Sequence, residues 1–142
     1  MTRLRVTLVA MSHTASVQIK RGVAGLGLFA LTTFRRGDFI IEYVGEYINQ
    51  AEADRRGGRY LFTIKEDCVI DGKARSNTAR YINHSCRPNA FAEADEEALK
   101  IRIYAKKHIR PGEEIFYHYG QEYVRDIIGT DCRCPLCQKI TD

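Results

Sequence analysis

Residues 79–89 read ARYINHSCRPN, a stretch dense in hydrogen-bonding side chains with few flexible residues. An Asn-His pair such as Asn83-His84 commonly does no more than stabilise a loop. Here it runs directly into Cys86, and three further cysteines crowd the C-terminus as CRCPLC: Cys132, Cys134 and Cys137. Cysteines that close in sequence seldom bridge one another, whereas thiolates so spaced can converge on one tetrahedral ion. Three ligands do not close a structural zinc site. Cys86 and Cys68 are candidates for the fourth, with His84 and His118 behind them.

Downstream, residues 113–120 read EEIFYHYG. On a strand, Tyr117 and Tyr119 face the same side and His118 the other. The two tyrosines are either stacked core residues or a hydroxyl pair lining a pocket, and His118 is read as structural. Upstream, Gly25-Leu26-Gly27-Leu28-Phe29-Ala30 sets two glycines one residue apart before an apolar strand. Glycine permits close backbone approach to a cofactor, but without a third glycine or a βαβ pattern a plain turn is the simpler reading.

The remaining pattern is mostly short strands. Phe39–Ile48 suggests strand, bend and strand about Gly45. Asn49 reads as the N-cap of a short helix, QAEADRR, ended by Gly57-Gly58. Tyr60–Ile64 and Cys68–Ile70 look like a hairpin, and Lys100–Tyr104 alternates with the period of a half-buried strand. Arg110-Pro111-Gly112 is a turn before a strand over Glu113–Tyr119.

The chain has 142 residues, 44% hydrophobic and 28% charged, which bounds it to one domain of ordinary globular composition. No apolar run reaches the ~18 residues of a membrane span, so a soluble protein without membrane partners is expected. Residues 1–16 read as a leader or edge strand rather than a signal peptide. The net charge of +4 is unevenly placed. Arg3, Arg5, Lys20, Arg21, Arg35 and Arg36 precede Gly37 with no acid among them, and the body from Asp38 onward is slightly acidic. Direct nucleic-acid binding is therefore not expected, and any such contact is left to residues before Gly37.

Taken in order, GLGLFA, EYVGE, YLF, ID, ARYINHSCRPN, PGEEIFYHYG and CRCPLC closely resemble the SET domain family of protein lysine methyltransferases, from about Val17 to Cys137. The resemblance implies a mainly β fold of small curved sheets, with a SET domain over 17–123. The NHSC segment would pass through a loop to form a pseudoknot, a threading otherwise rare in proteins. A post-SET segment over 124–142 would bind zinc.

The same resemblance assigns roles. Gly25, Leu26 and Gly27 would lie against S-adenosylmethionine, where relatives often carry a bulkier or basic residue in place of Leu26. Tyr60, Arg80, Asn83 and His84 would contact the same cofactor. Tyr119 would sit at the methyl-transfer point as an orienting and electrostatic group, and Tyr43 would line the lysine channel. Tyr117, where the family alternates phenylalanine and tyrosine, implies a mono- or dimethyl-lysine product. Cys86, Cys132, Cys134 and Cys137 would hold one zinc ion, leaving Cys68 a free buried thiol. Only Pro135-Leu136 separates the last two cysteines, a shorter gap than the family's commonest form and closer to the subgroup whose SET domain is interrupted by a MYND finger. Leu136 would pack on the adenine.

The implied substrate is a histone-like or other basic protein, with Glu93, Asp95, Glu96 and Glu97 either a landing surface for it or a solvated hairpin tip. Action would be intracellular: at chromatin in a eukaryote, in the cytoplasm or a host for a bacterium. A non-catalytic SET module that binds peptides or recruits partners is the alternative. A zinc-bearing nucleic-acid module leaves the central motifs unexplained.

Overall fold

The computed structural model describes residues 16–22 and 24–119. Along the chain run β1 (Val17–Gly22), β2 (Gly25–Ala30), β3 (Phe39–Tyr43), β4 (Glu46–Ile48), α1 (Gln50–Arg56), β5 (Leu61–Lys65) and β6 (Cys68–Asp71). A 3-10 turn (Thr78–Tyr81), β7 (Asn83–His84), β8 (Ala90–Asp95), β9 (Lys100–Ala105) and β10 (Glu114–Tyr117) follow. Among the described residues these strands make three small sheets, ordered β1-β2-β10-β7, β3-β9-β8 and β4-β6-β5. The mainly β architecture expected from the sequence is present.

Local chemistry explains most boundaries. The Asn49 side chain accepts from the Glu52 N–H at 2.9 Å, and Gly57, at φ 63°, donates back to the Ala53 carbonyl, so α1 is capped at both ends. In β9, Ile101, Ile103 and Ala105 are fully buried while Arg102 and Tyr104 alternate with them, as a strand with one face on the core requires. The bend between β3 and β4 falls at Gly45, where a Cβ would collide with the main chain of Asp71 and Gly72. Leu28, Ile40, Ile70, Ile82, Ile103 and Ile115, drawn from all three sheets and the segment before β7, form a shared core.

Several expectations are revised. Gly25-Leu26-Gly27 is strand from Gly25 onward rather than a turn, with Gly22 opposite Gly25 across the β1–β2 hairpin. The last strand ends at Tyr117, two residues early, because its parallel partner β7 is only two residues long. β8 was not anticipated: its alternate alanines carry little strand propensity, and six cross-strand pairs with β9 hold it. Cys68 is a free thiol packed against the core but half-buried rather than buried. The leader over 1–15, the path beyond Tyr119 that would complete the pseudoknot, and the segment over 124–142 lie outside the described residues.

Candidate active site

The site is assembled where β7 meets β10. Asn83 lies opposite Phe116 and His84 opposite Tyr117 in parallel register, and the Ser85 N–H extends the pairing to the Tyr117 carbonyl at 3.2 Å. Asn89 fastens the same two segments with its side chain. Its amide donates to the Glu114 carbonyl at 2.8 Å and accepts from the Phe116 N–H at 2.8 Å, so a buried asparagine takes the place of a neighbouring strand.

On one side of this junction, Asn83 Nδ2 donates to the Leu26 carbonyl at 3.0 Å and to the Glu114 carboxylate at 3.1 Å. A Cβ on Gly27 or Gly22 would fall on that carboxylate, so both glycines leave room for Glu114. Burial pushes the Glu114 carboxyl above its usual range, and the Asn83 bond partly opposes the shift. With Nδ2 doubly engaged, Asn83 Oδ1 makes no hydrogen bond among the described residues. In the 3-10 turn before β7, the Arg80 guanidinium lies 4.5 Å over the Tyr60 ring and 5.1 Å over Tyr81, with its buried Nε lacking any partner among the described residues.

On the other side opens a groove of about 510 Å³ whose walls include Tyr43, Phe62, Phe91, Tyr117 and Tyr119. Successive rings touch: Tyr43 to Phe62 at 5.3 Å, Phe62 stacked on Tyr117 at 6.3 Å, and Tyr117 to Tyr119 at 5.1 Å. The Tyr43 hydroxyl donates to the Tyr60 carbonyl at 2.7 Å, and the Tyr119 hydroxyl to the Ile82 carbonyl at 2.6 Å. Burial first, then the charge Tyr119 would carry if ionised, holds the Tyr43 phenol above the ordinary tyrosine range, so it stays neutral. Tyr117 and Tyr119 thus share a groove even though the strand between them has ended.

His84 joins the two sides. Its Nδ1 accepts from the Tyr119 N–H at 3.1 Å, which places the ring proton on Nε2, 3.5 Å from the Cys86 sulfur. Burial, with His118 edge-on at 4.6 Å, lowers the His84 pKa to about 4, so the ring is neutral. His118 lies against His84 and also borders the groove, so it does not point away from the tyrosines as strand alternation implied. Cys86 is half-buried, and no cluster of metal-ligating side chains occurs among the described residues. Cys132, Cys134, Cys137 and Leu136 lie outside them.

The sequence reading missed four residues that hold the site. Besides Asn89 and Glu114, fully buried Asn77 accepts from the Val44 N–H at 3.1 Å and donates to the Gly72 carbonyl at 3.0 Å, bracing the chain after Tyr43. Buried Asp71 pairs with Arg56 at 2.8 Å, and Arg56 also reaches Glu46 and Glu52. Only the clustering of Asn and Asp at points of turn hinted at these contacts. In the acidic stretch, Asp95 bonds the Glu97 and Ala98 N–H groups and pairs with Arg102 at 2.9 Å. It builds the β8–β9 hairpin tip, and only Glu93, Glu96 and Glu97 remain for another charge.

Residues 25–120 match the family model described as SET domain. The chain is 42% identical over 124 residues to a Schizosaccharomyces pombe protein named histone-lysine N-methyltransferase, H3 lysine-4 specific, and 41% identical over 124 residues to the Dictyostelium discoideum histone-lysine N-methyltransferase set1. Each match covers 80% of this chain. An Arabidopsis thaliana relative, histone H3-lysine(4) N-trimethyltransferase ATX1, is 33% identical over 138 residues, 87% of this chain. The chain spans only 14%, 8% and 13% of the lengths of these three relatives.

Proposed function

Because this chain belongs to the SET domain family, we propose that it is a protein-lysine N-methyltransferase, moving a methyl group from S-adenosylmethionine to a lysine side chain of a histone-like or other basic protein. The observation that carries this reading is the pair of tyrosines whose hydroxyl protons are both donated to main-chain carbonyls, Tyr43 to Tyr60 and Tyr119 to Ile82, at the wall of one groove.

The methyl donor fits the opposite side of the junction. Asn83 Oδ1 presents an acceptor there, and Arg80 Nε, which has no partner among the described residues, is proposed as a donor to the same ligand. Gly25, Leu26 and Gly27 bring an edge of main chain, with Leu26 half exposed, and Tyr60 an aromatic face beside Arg80. Once bound, the cofactor supplies a methyl carbon activated by a sulfonium. What the protein must add is a neutral, correctly aimed amine. A free lysine with a pKa near ~10.4 is almost wholly protonated at neutral pH. An aromatic-walled groove disfavours the ammonium form by desolvation. With their protons committed elsewhere, the Tyr43 and Tyr119 oxygens accept N–H bonds and turn the amine lone pair toward the far side of the junction. The contribution is alignment and electrostatics, with no proton taken up by either tyrosine.

The Tyr117 hydroxyl, beside Tyr119, can hold a water in the space a further methyl would need, which supports a mono- or dimethyl product. A trimethyl product, which the name of the Arabidopsis relative states for that protein, would displace this part of the reading. Cys86 with Cys132, Cys134 and Cys137 is proposed to hold one zinc ion, whose chemistry here is structural. The names of the relatives make H3 lysine-4 the first substrate to test, and a histone substrate would place the action at chromatin.

The test is incubation with labelled S-adenosylmethionine, histone H3 and a cell lysate, followed by mapping of the labelled lysine. Label on a lysine side chain is expected. Cofactor binding by calorimetry without transfer to any protein would leave a non-catalytic peptide-binding module instead.

A further inference from the structure

We propose that the paired segments 35–38 and 106–113 form a binding face for the phosphate backbone of duplex nucleic acid, beside the groove. The proposal does not depend on methyl transfer. Counted along the chain, Arg35-Arg36 belongs to the basic start, and Lys106, Lys107 and Arg110 are diluted in a slightly acidic body. The fold brings them together. Phe34 and Ile109 exchange main-chain hydrogen bonds at 2.9 and 2.8 Å as an antiparallel bridge, and the Gly37 N–H and Asp38 carbonyl bond the main chain of Ala105. This pairing sets the two main-chain segments about 4.8 Å apart, less than the Debye length of about 10 Å at 0.1 M ionic strength.

All five side chains are exposed, and none forms an ion pair among the described residues. The carboxylates within the two segments are otherwise engaged: Asp38 accepts from the Arg35 N–H at 2.7 Å and Glu113 from the Arg110 N–H at 3.0 Å, each closing a turn. Five cations therefore stand over two carboxylates whose oxygens hold main chain. The buried anchors Phe34 and Ile109 fix the face from beneath. It is continuous with the groove, because Lys106 borders the groove and its N–H bonds the Asn89 carbonyl at 2.8 Å. Adjacent cations with no ion-pair partner among the described residues suit a ligand that offers many phosphates and needs no base readout.

Fluorescence anisotropy with a labelled DNA duplex, between about 50 and 200 mM salt, tests this. Binding should weaken with a log–log slope of about −0.9 per phosphate engaged, so up to about −4.5 for the five cations. The double variant Arg36→Gln/Lys107→Gln should lower the slope magnitude by about 2, with the thermal midpoint and cofactor affinity unchanged. Arg3→Gln/Arg5→Gln should leave the slope intact. Salt-independent binding, no binding, or a slope lost with Arg3/Arg5 rather than Arg36/Lys107 would overturn the proposal. So would displacement of the duplex by a polyglutamate peptide at matched charge, which would indicate an acidic protein ligand.

Discussion

The Tyr119 hydroxyl donates to the main-chain carbonyl of Ile82, the residue immediately before Asn83, at 2.6 Å. A phenol so committed offers its oxygen as an acceptor toward the groove. Tyr119→Phe removes that acceptor and leaves Asn83, Arg80 and the glycine edge in place. Transfer should fall by roughly 10²-fold or more, the scale for losing one preorganised polar group at a reacting centre, while calorimetric cofactor affinity stays near wild type. An unchanged turnover number would remove Tyr119 from the chemistry.

Tyr117 shares the groove with Tyr119 and stacks on Phe62. Tyr117→Phe keeps the stack and deletes the hydroxyl that can hold a space-filling water. Mass spectrometry of the product lysine should show a shift toward higher methylation states. A wild-type enzyme already yielding mainly trimethyl-lysine would defeat this account of Tyr117.

Glu114 gives the stability a pH dependence of definite sign. Its folded-state pKa is raised by burial above the ordinary 4.5, so the stability tied to its protonated form is complete below that value and is lost as pH rises through the folded pKa. Glu114→Gln keeps an oxygen for Asn83 Nδ2 and abolishes the titration. The melting temperature of the variant relative to wild type should therefore rise as pH increases from about 4 toward 7. A difference that is flat with pH would show that Glu114 ionises without penalty.

Arg56 reaches Asp71, whose side chain is only 4% exposed. Arg56→Met leaves that carboxylate with the Lys73 N–H at 3.2 Å and a lysine ammonium at 4.0 Å. Loss of the guanidinium leaves the buried Asp71 carboxylate short of its main partner and should be readable as a lower urea midpoint at unchanged slope. A midpoint within error of wild type would mean that Lys73 and water compensate.

If Cys86, Cys132, Cys134 and Cys137 hold zinc as proposed, metal analysis should find one ion per chain, absent in Cys86→Ser. Chelation should lower the melting temperature of the wild type and leave that variant unmoved. Metal-free protein with an unaltered melting curve would reject the site.

What could be read in the sequence had local causes. The helix at 50–56 carries its own caps, and β9 its own alternation. β7 was illegible as a strand because two residues have no period, although ARYINHSCRPN was the clearest motif in the chain. Asn89 and Glu114 act on main chain and side chains 25 to 31 positions away, through bonds that leave no regular spacing. The tight fit of Glu114 against the Cβ-less face of Gly27 is likewise illegible in the linear sequence, 87 positions apart. The basic face escaped a linear charge count because it exists only once 34 and 109 are paired.

The parallel pairing of Asn83-His84 with Phe116-Tyr117 also sets an order of events in biosynthesis. β3 through β9 can emerge and pair without β10, yet in that state Asn83 has no partner strand and His84 Nδ1 no Tyr119 N–H to accept from. Competence to hold the methyl donor thus arrives with the last described strand, so donor affinity in a series of C-terminal truncations reads out whether the closing step of folding has occurred.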